Sequence, residues 1–536
     1  MVAHLVSVLL LIACGCLPLA YSACIPSMGN GCTLESLNML TNGTATLRKI
    51  EANKFYSIRV QMLRLPNNPS GPFLSFAAEF VDDVEMTIFR EQLFQIPART
   101  NLSSIQVFEA KALKQVQIAD GGDISIKELT FIDCGIDHVP QTIGNLPLLY
   151  TLTFSQCALR NVSLKTFAKN SQLKFVDLSS NAIDTIVPLS NEDSNVALSI
   201  EDLYLSSNRL EHLDMSVFSA LSNLVMLDLR YNNLARIVAE RAISWPKLEI
   251  FDVSNNQLRA LDLQWLSAPN LTRLLLNNNL LDKIPQRLRR FANLQLVGLG
   301  DNQFAGIDLA PLNGLPTLNT VDFSNNPKSR YVRSSRPIQL PMLDTLYVEY
   351  CALSRFNTTG IDLPVVSFIS LAHNNFSTVP PLGIAFPSIS SFSLYDNPIG
   401  CGVLKSRKEL LLSGKLIMGP PLDVGSCSGG SISVSESYEL CFHNVLLPAA
   451  HIFTQQRVLD SDHSSQVGKN LEQVGQLVQP VVSERECGEL WKVPPSILGL
   501  CELVVGQIYQ LQVGQRDAPG ARYNHVAYSI AYYIDL

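Results

Sequence analysis

Between Ile126 and Ile399 the aliphatic residues fall into one phrase, L-x-x-L-x-L-x-x-(N/C)-x-L, which returns twelve times. Its polar slot falls on Cys134, Cys157, Asn181, Asn208, Asn232, Asn256, Asn279, Asn302, Asn326, Cys351, Asn374 and Asn397, at intervals of 23 to 27 residues. In the unit that opens at Leu224, Leu227 and Leu229 alternate with Asp228 and Arg230. That period of two predicts a strand with one face inward. A unit this short cannot bury both its strand leucines and the apolar residues that follow, such as Leu234, Ile237 and Leu248, so neighbours must stack and share a core. Parallel strands about 4.8 Å apart then give an inner sheet on the order of 50 Å long.

The slot has a different task. Where the strand turns outward, backbone amides and carbonyls would be buried without partners, and an inward-pointing Asn can serve both kinds of group. An unsatisfied group there costs roughly 1–3 kcal/mol, which favours Asn over an aliphatic residue. A thiol is a weaker donor but fits. Cys134, Cys157 and Cys351 are therefore expected as buried, reduced rungs. A Cys134–Cys157 bridge is the less favoured alternative, because both side chains point the same way.

Period and phrase resemble the leucine-rich repeat over about 275 of 536 residues. The resemblance implies an α/β solenoid, a curved horseshoe with a parallel inner β-sheet. It is to extracellular members of that family, which include receptor ectodomains, matrix proteins and inhibitors of secreted enzymes, so it implies binding of protein, peptide or glycan and no catalysis.

The rest of the chain divides around the solenoid. Residues 1–22 read as a signal peptide, with an apolar run from Leu5 to Ala20 and the small-x-small pattern Ala20-Tyr21-Ser22. Residues 23–125 read as a capping region with strand-like pieces at Ser57–Leu65 and Ser104–Phe108 and a decayed repeat at Leu113, Val116 and Ile118. The repeats fill 126–400, and Cys401 opens a C-terminal cap over 401–430 with a helix at Leu404–Leu412. Residues 431–536 read as a small α+β tail of unknown type. In the tail, Leu471, Val474, Leu477 and Val478 share a helical face, and Tyr509–Val513 and Val526–Ile534 alternate as strands. Cysteines outside the slot cluster at the two ends, where short loops gain from staples. Cys24 is paired with Cys32, Cys401 with Cys427, and Cys487 with Cys501, which leaves Cys441 over. Sequons at Asn42, Asn101, Asn161, Asn270, Asn357 and Asn375, all away from the inner-sheet strands, suggest an exported glycoprotein with a sugar-free concave face.

Net charge is −7, and no basic stripe with interleaved aromatics points to nucleic acid. No apolar run after the leader is long enough to span a bilayer, so secretion is expected. The eight histidines show no metal-ligand spacing and read as scattered surface residues. No catalytic residue, metal or cofactor is expected. Recognition is instead assigned to the outward positions of the inner sheet: Asp177, Tyr204, Asp228, Asp252, Asp322 and Tyr347, flanked by Arg230, Tyr231, Arg273, Glu349, Tyr350 and Tyr395. Tyr and Arg dominate binding hot spots, and rigid strands lower the entropy cost of binding. A second candidate is basic: Lys283, Arg287, Arg289 and Arg290, then Lys328, Arg330, Arg333 and Arg336, read as lying on return segments of adjacent repeats. The sequence therefore reads as that of a secreted, non-catalytic recognition protein. The alternatives are the ectodomain of a receptor whose other parts are not in this chain, and a hydrolase with its chemistry in the tail.

Overall fold

The computed structural model describes residues 24–418, apart from 28–30, 42, 53–54, 66–69, 122 and 190–196, and the strands Ser431–Ser435 and Tyr438–Cys441. The leader, the loop at Asn191–Asn195 and the helix and strands expected in the tail lie outside the described residues. So do Asn42 and the partners assigned to Cys401 and Cys487.

Each repeat phrase forms one short inner strand, and neighbouring strands pair in parallel with like positions in register. Leu203 faces Leu227, and Tyr204 faces Asp228. One coil on, Leu227 faces Phe251 and Asp228 faces Asp252. The pattern holds to the last pair, where Phe392 faces Leu416. The aliphatic positions are buried throughout, with Leu203, Leu227, Leu274 and Leu346 at 0–1% exposure. Return segments are short outer strands and 3-10 turns, for example His212–Asp214 beside Arg236–Val238 and Ile307–Asp308 beside Tyr331–Arg333. Two α-helices, Cys401–Lys405 and Lys408–Leu412, follow the last coil where the cap helix was expected.

The parallel sheet does not begin at Ile126. Strands Gly31–Leu34, Ser57–Arg64, Asp83–Ile88 and Ser104–Ala110 pair in sequence and join Glu128–Cys134 in the same register. The capping region expected over 23–125 is thus largely further coils. Its apolar residues, such as Val84, Met86, Ile105 and Val107, occupy the leucine positions at 0–1% exposure, so the burial is the same while the letters differ. Ile25–Ser27 closes the N-terminal edge as an antiparallel strand against Gly31–Thr33, stapled by Cys24–Cys32.

In every one of the twelve repeats the residue before the slot has a positive φ, between 49° and 58°. This left-handed residue turns the strand outward, and the slot Asn stabilises the turn. Asn302 Nδ2 donates to the carbonyls of Leu276 (3.0 Å), Leu299 (3.1 Å) and Gly300 (2.9 Å). Its Oδ1 accepts from the amide of Leu281 at 3.0 Å. Asn232, Asn256 and Asn279 repeat the same four bonds.

The cysteine rungs correct one expectation. Cys134 and Cys157 are joined by a disulfide rather than reduced, with Cα atoms 4.6 Å apart. Side chains that point the same way from adjacent coils are also stacked one above the other, and that separation is within bridging range. Cys351 has Asn326 and Asn374 in the neighbouring slots; it stays a buried thiol whose Sγ donates to the Phe323 carbonyl at 3.5 Å. Burial pushes its pKa up to about 12. Since the thiolate is the nucleophile, Cys351 should resist alkylation at pH 8 in the native protein and react fully after unfolding. Mass mapping of the peptide that contains it checks this, and rapid native labelling would contradict a closed rung.

Candidate binding face

Between the buried leucines, the strand residues one before, one after and three after the middle leucine point to the concave side. The aspartates there are already engaged. Asp177, Asp252 and Asp322 each accept from the backbone amide two residues on, at 2.8–2.9 Å. Asp228 accepts from the Arg230 amide at 3.0 Å. Burial raises the pKa of Asp177, Asp252 and Asp322, Asp252 to about 6 despite the pull of Arg230.

Asp228 and Asp252 are 0% and 2% exposed, so the sequence expectation that they meet a ligand does not hold for their side chains. The reason is Arg230, whose guanidinium folds back over both. It donates from Nε to Asp228 Oδ1 (3.0 Å) and from Nη2 to Asp228 Oδ2 (2.9 Å), and its Nε lies 3.4 Å from Asp252 Oδ2. The three residues form a buried ion cluster beneath the face. At its N-terminal side Asp202, pushed up to about 6 by burial and by Glu201 and Glu249, adds to a set of carboxylates.

Tyr204 packs on Phe175 with ring centroids 5.0 Å apart, and its hydroxyl donates to Met226 Sδ at 3.3 Å. Arg273 is half-buried beside Ile250 and Leu296 in the adjoining strands. Next the surface drops: Gly298 and Gly300 carry no side chain, and Asn277 lies across them, its Oδ1 accepting from the Gly300 amide at 3.1 Å. A Cβ at Gly298 would stand 2.6 Å from that oxygen, so only glycine lets Asn277 lie there.

The C-terminal coils carry an aromatic group. Tyr347 meets Phe368 edge-on with centroids 6.0 Å apart. Tyr350 stacks on the His373 imidazole at 4.0 Å with planes 8° apart, and Tyr395 meets the other side of that ring edge-on at 5.2 Å. Asp396 Oδ2 lies 2.9 Å from His373 Nδ1, and Ser370 Oγ donates to Glu349. Tyr350 and Tyr395 stay 52% and 43% exposed although their rings are held in place.

Of the twelve expected residues, the structure thus brings together Tyr350 and Tyr395, joined through His373 as one exposed stack, while Tyr347 and Glu349 on the same coil as Tyr350 are half-buried against Phe368 and Ser370. Tyr231 stands alone at 54% exposure beside the buried cluster. Sequence reading missed Phe175, Phe368, Asn277 and His373. His373 is not a scattered histidine but the middle ring of a stack, and its place immediately before a slot, like Tyr350 before Cys351, was the available signal. The described sequons, Asn101, Asn161, Asn270, Asn357 and Asn375, are exposed and off the inner strands. Among the described residues no cluster of His, Cys, Asp and Glu could hold a metal, and no helix is long and apolar enough to cross a membrane.

A leucine-rich-repeat family model matches residues 199–258. Over 162 residues the chain is 26% identical to the PH domain leucine-rich repeat protein phosphatase 1 of Rattus norvegicus, a stretch amounting to 30% of this chain and only 9% of that protein. Lumican of Mus musculus is 28% identical over 253 residues, 46% of this chain and 69% of its own length. Among solved structures, the LRIM1/APL1C complex aligns with a TM-score of 0.46 at 17% identity, over 96% of this chain and 91% of that one. The twelvefold phrase, its asparagine ladder, the in-register parallel sheet and the family match make this chain a leucine-rich-repeat protein.

Proposed function

We propose that the chain is a secreted, non-catalytic recognition protein whose concave face captures an extracellular protein or peptide, anchored on Tyr350, His373 and Tyr395. One observation carries the reading. Tyr350 occupies a left-handed position, φ 49°, that other coils fill with Asn255, Asn278, Asp301 or Asn325, and that the ring-bearing Tyr231 and His373 share. A bulky residue there is disfavoured where Asn and Asp are at home. Strain of this kind collects where function requires it. Its result is an exposed aromatic ring already fixed by stacking, which suits an interface anchor.

The reading separates binding from stability. Tyr350→Asn relieves the backbone and should leave stability unchanged or slightly higher while partner capture falls about tenfold or more, a loss in the hot-spot range. A benzophenone side chain at Tyr395 should give covalent adducts in extracellular fluid, and one at Glu211 on a return segment should not. Equal labelling from both positions, or full capture by Tyr350→Asn, would show that the face has another role. Replacing Asp228, Arg230 and Tyr231 together would probe the fold instead, because the first two are structural.

A further inference from the structure

The outer side of the solenoid carries a concentration of positive charge that recognition on the concave face does not use. Residues 283–290 hold four basic side chains, and residues 327–342 another four, with no acidic residue in either segment of a chain whose net charge is −7. All eight are exposed. The return segment between them carries one opposing charge, Asp308, whose carboxylate accepts from the amides of Ala310 (3.1 Å) and Ser335 (2.9 Å) and interacts electrostatically with Arg333, its neighbour in the paired outer strand, so the eight cations still outnumber it.

Several of these cations are held in place without being neutralised. Arg287 Nη1 donates to Gln264 Oε1 at 2.8 Å, Arg290 Nη1 to the Gln264 carbonyl at 2.6 Å, and Arg336 Nη2 to the Ala310 carbonyl at 3.1 Å. Arg333 lies over the Tyr331 ring at 5.1 Å, and that ring fills the space left by Gly306. These acceptors are uncharged, so each guanidinium is oriented while keeping its charge and most of its five donors for an outside group. Arg289 lies against Gly314 and so extends the charge of the first segment over the intervening coil.

We infer that this flank binds a linear sulfated polysaccharide. Six of the eight cations are Arg, whose planar fork matches tetrahedral oxyanions bidentately and sheds water more readily than an ammonium. Two coils with one between them present these forks along one side, so a single extended polyanion can meet both groups. A nucleic-acid strand would also call for aromatic faces open to stacking bases, and the flank offers one aromatic ring, Tyr331, which lies against Gly306 and has the Arg333 guanidinium over it although it is 37% exposed. A bilayer would call for several apolar side chains inserted beside the charges, whereas Ile284, Leu288, Val332, Ile338 and Leu340 are buried at 0–4% exposure and Met342 and Tyr331 are the exposed large apolar side chains of the two segments.

Heparin is the probe, measured by titration and by salt-gradient elution against an Asn357→Gln background. That sequon is removed because the Asn357 amide bonds the Val332 carbonyl at 2.9 Å, at the border of the flank. Affinity should fall steeply with salt, and Arg330→Gln with Arg333→Gln should weaken it at least tenfold. Arg287→Gln with Arg289→Gln should do the same, while Tyr350→Asn leaves it unchanged. Thermal melting confirms that each variant is folded. Undiminished heparin binding in both Arg pairs, or equal or tighter binding to oligo-dT or to phosphatidylserine vesicles, would overturn the assignment. Because Tyr350→Asn tests the concave face alone, either proposal can fail without the other.

Discussion

Asn302→Ala should lower the unfolding free energy by about 3–5 kcal/mol, among the largest effects open to a single exposed-to-none polar substitution in this chain. The side chain is 1% exposed and makes four bonds to backbone groups of two successive coils. Alanine leaves the Leu281 amide and the Leu276 carbonyl without these partners, and each buried orphan costs about 1–3 kcal/mol. Asn302→Cys should lose roughly half as much, because a neutral thiol keeps one weak donor, as Cys351 does toward Phe323. Denaturant titration of the three proteins tests the ordering. If alanine and cysteine proved equal to each other, or alanine equal to the parent, hydrogen bonding would not be the ladder's contribution.

Arg230→Ala should cost about 3–5 kcal/mol at pH 8, because it leaves two buried carboxylates facing each other without a counter-charge. The same cluster gives a pH dependence with a definite sign. Burial raises Asp252 from 3.8 to about 6 and, with Glu201 and Glu249, raises Asp202 to about 6. A carboxyl that holds its proton more tightly when folded contributes stability fully below its unfolded pKa and loses it as pH rises through its folded one. Stability of the parent should therefore decline between about pH 4 and pH 6, by up to about 3 kcal/mol for Asp252. Asp214 and Asp308, lowered by their amide and hydroxyl partners, act the opposite way below that window. Removing Arg230 takes away an influence that lowers the Asp252 pKa, so the decline should extend above pH 6 and the variant should recover much of its loss at pH 5. Urea midpoints at pH 5 and pH 8 measure this. An equal deficit at both values would mean that Arg230 acts through packing alone.

Legibility in the sequence followed the chemistry of each position. The coils from Ile126 onward were readable because Leu at fixed spacing and Asn in the slot are narrow solutions to burial and to backbone satisfaction. The coils before them were not. Val84 and Met86, or Ile105 and Val107 followed by Ala110 in the slot, meet the same burial requirement with a wider alphabet. The face was partly legible: its tyrosines could be listed, but not which of them would meet. Tyr350, His373 and Tyr395 come from three coils, and only stacking makes them neighbours.

By itself the sequence determined the coil. Its apolar period set which residues turn inward, and the interval between slots set how far the chain travels before it returns. The tertiary structure decided what the identical-looking polar positions do. Asp228 and Asp322 occupy the same place in their phrases, yet one lies under Arg230 at 0% exposure and the other is capped by the amide and the hydroxyl of Ser324. Cys134 and Cys157 are likewise written like Cys351 but are covalently joined. In each case the outcome depends on which side chain the adjoining coil places about one strand spacing away, and that neighbour lies some 24 residues distant along the chain.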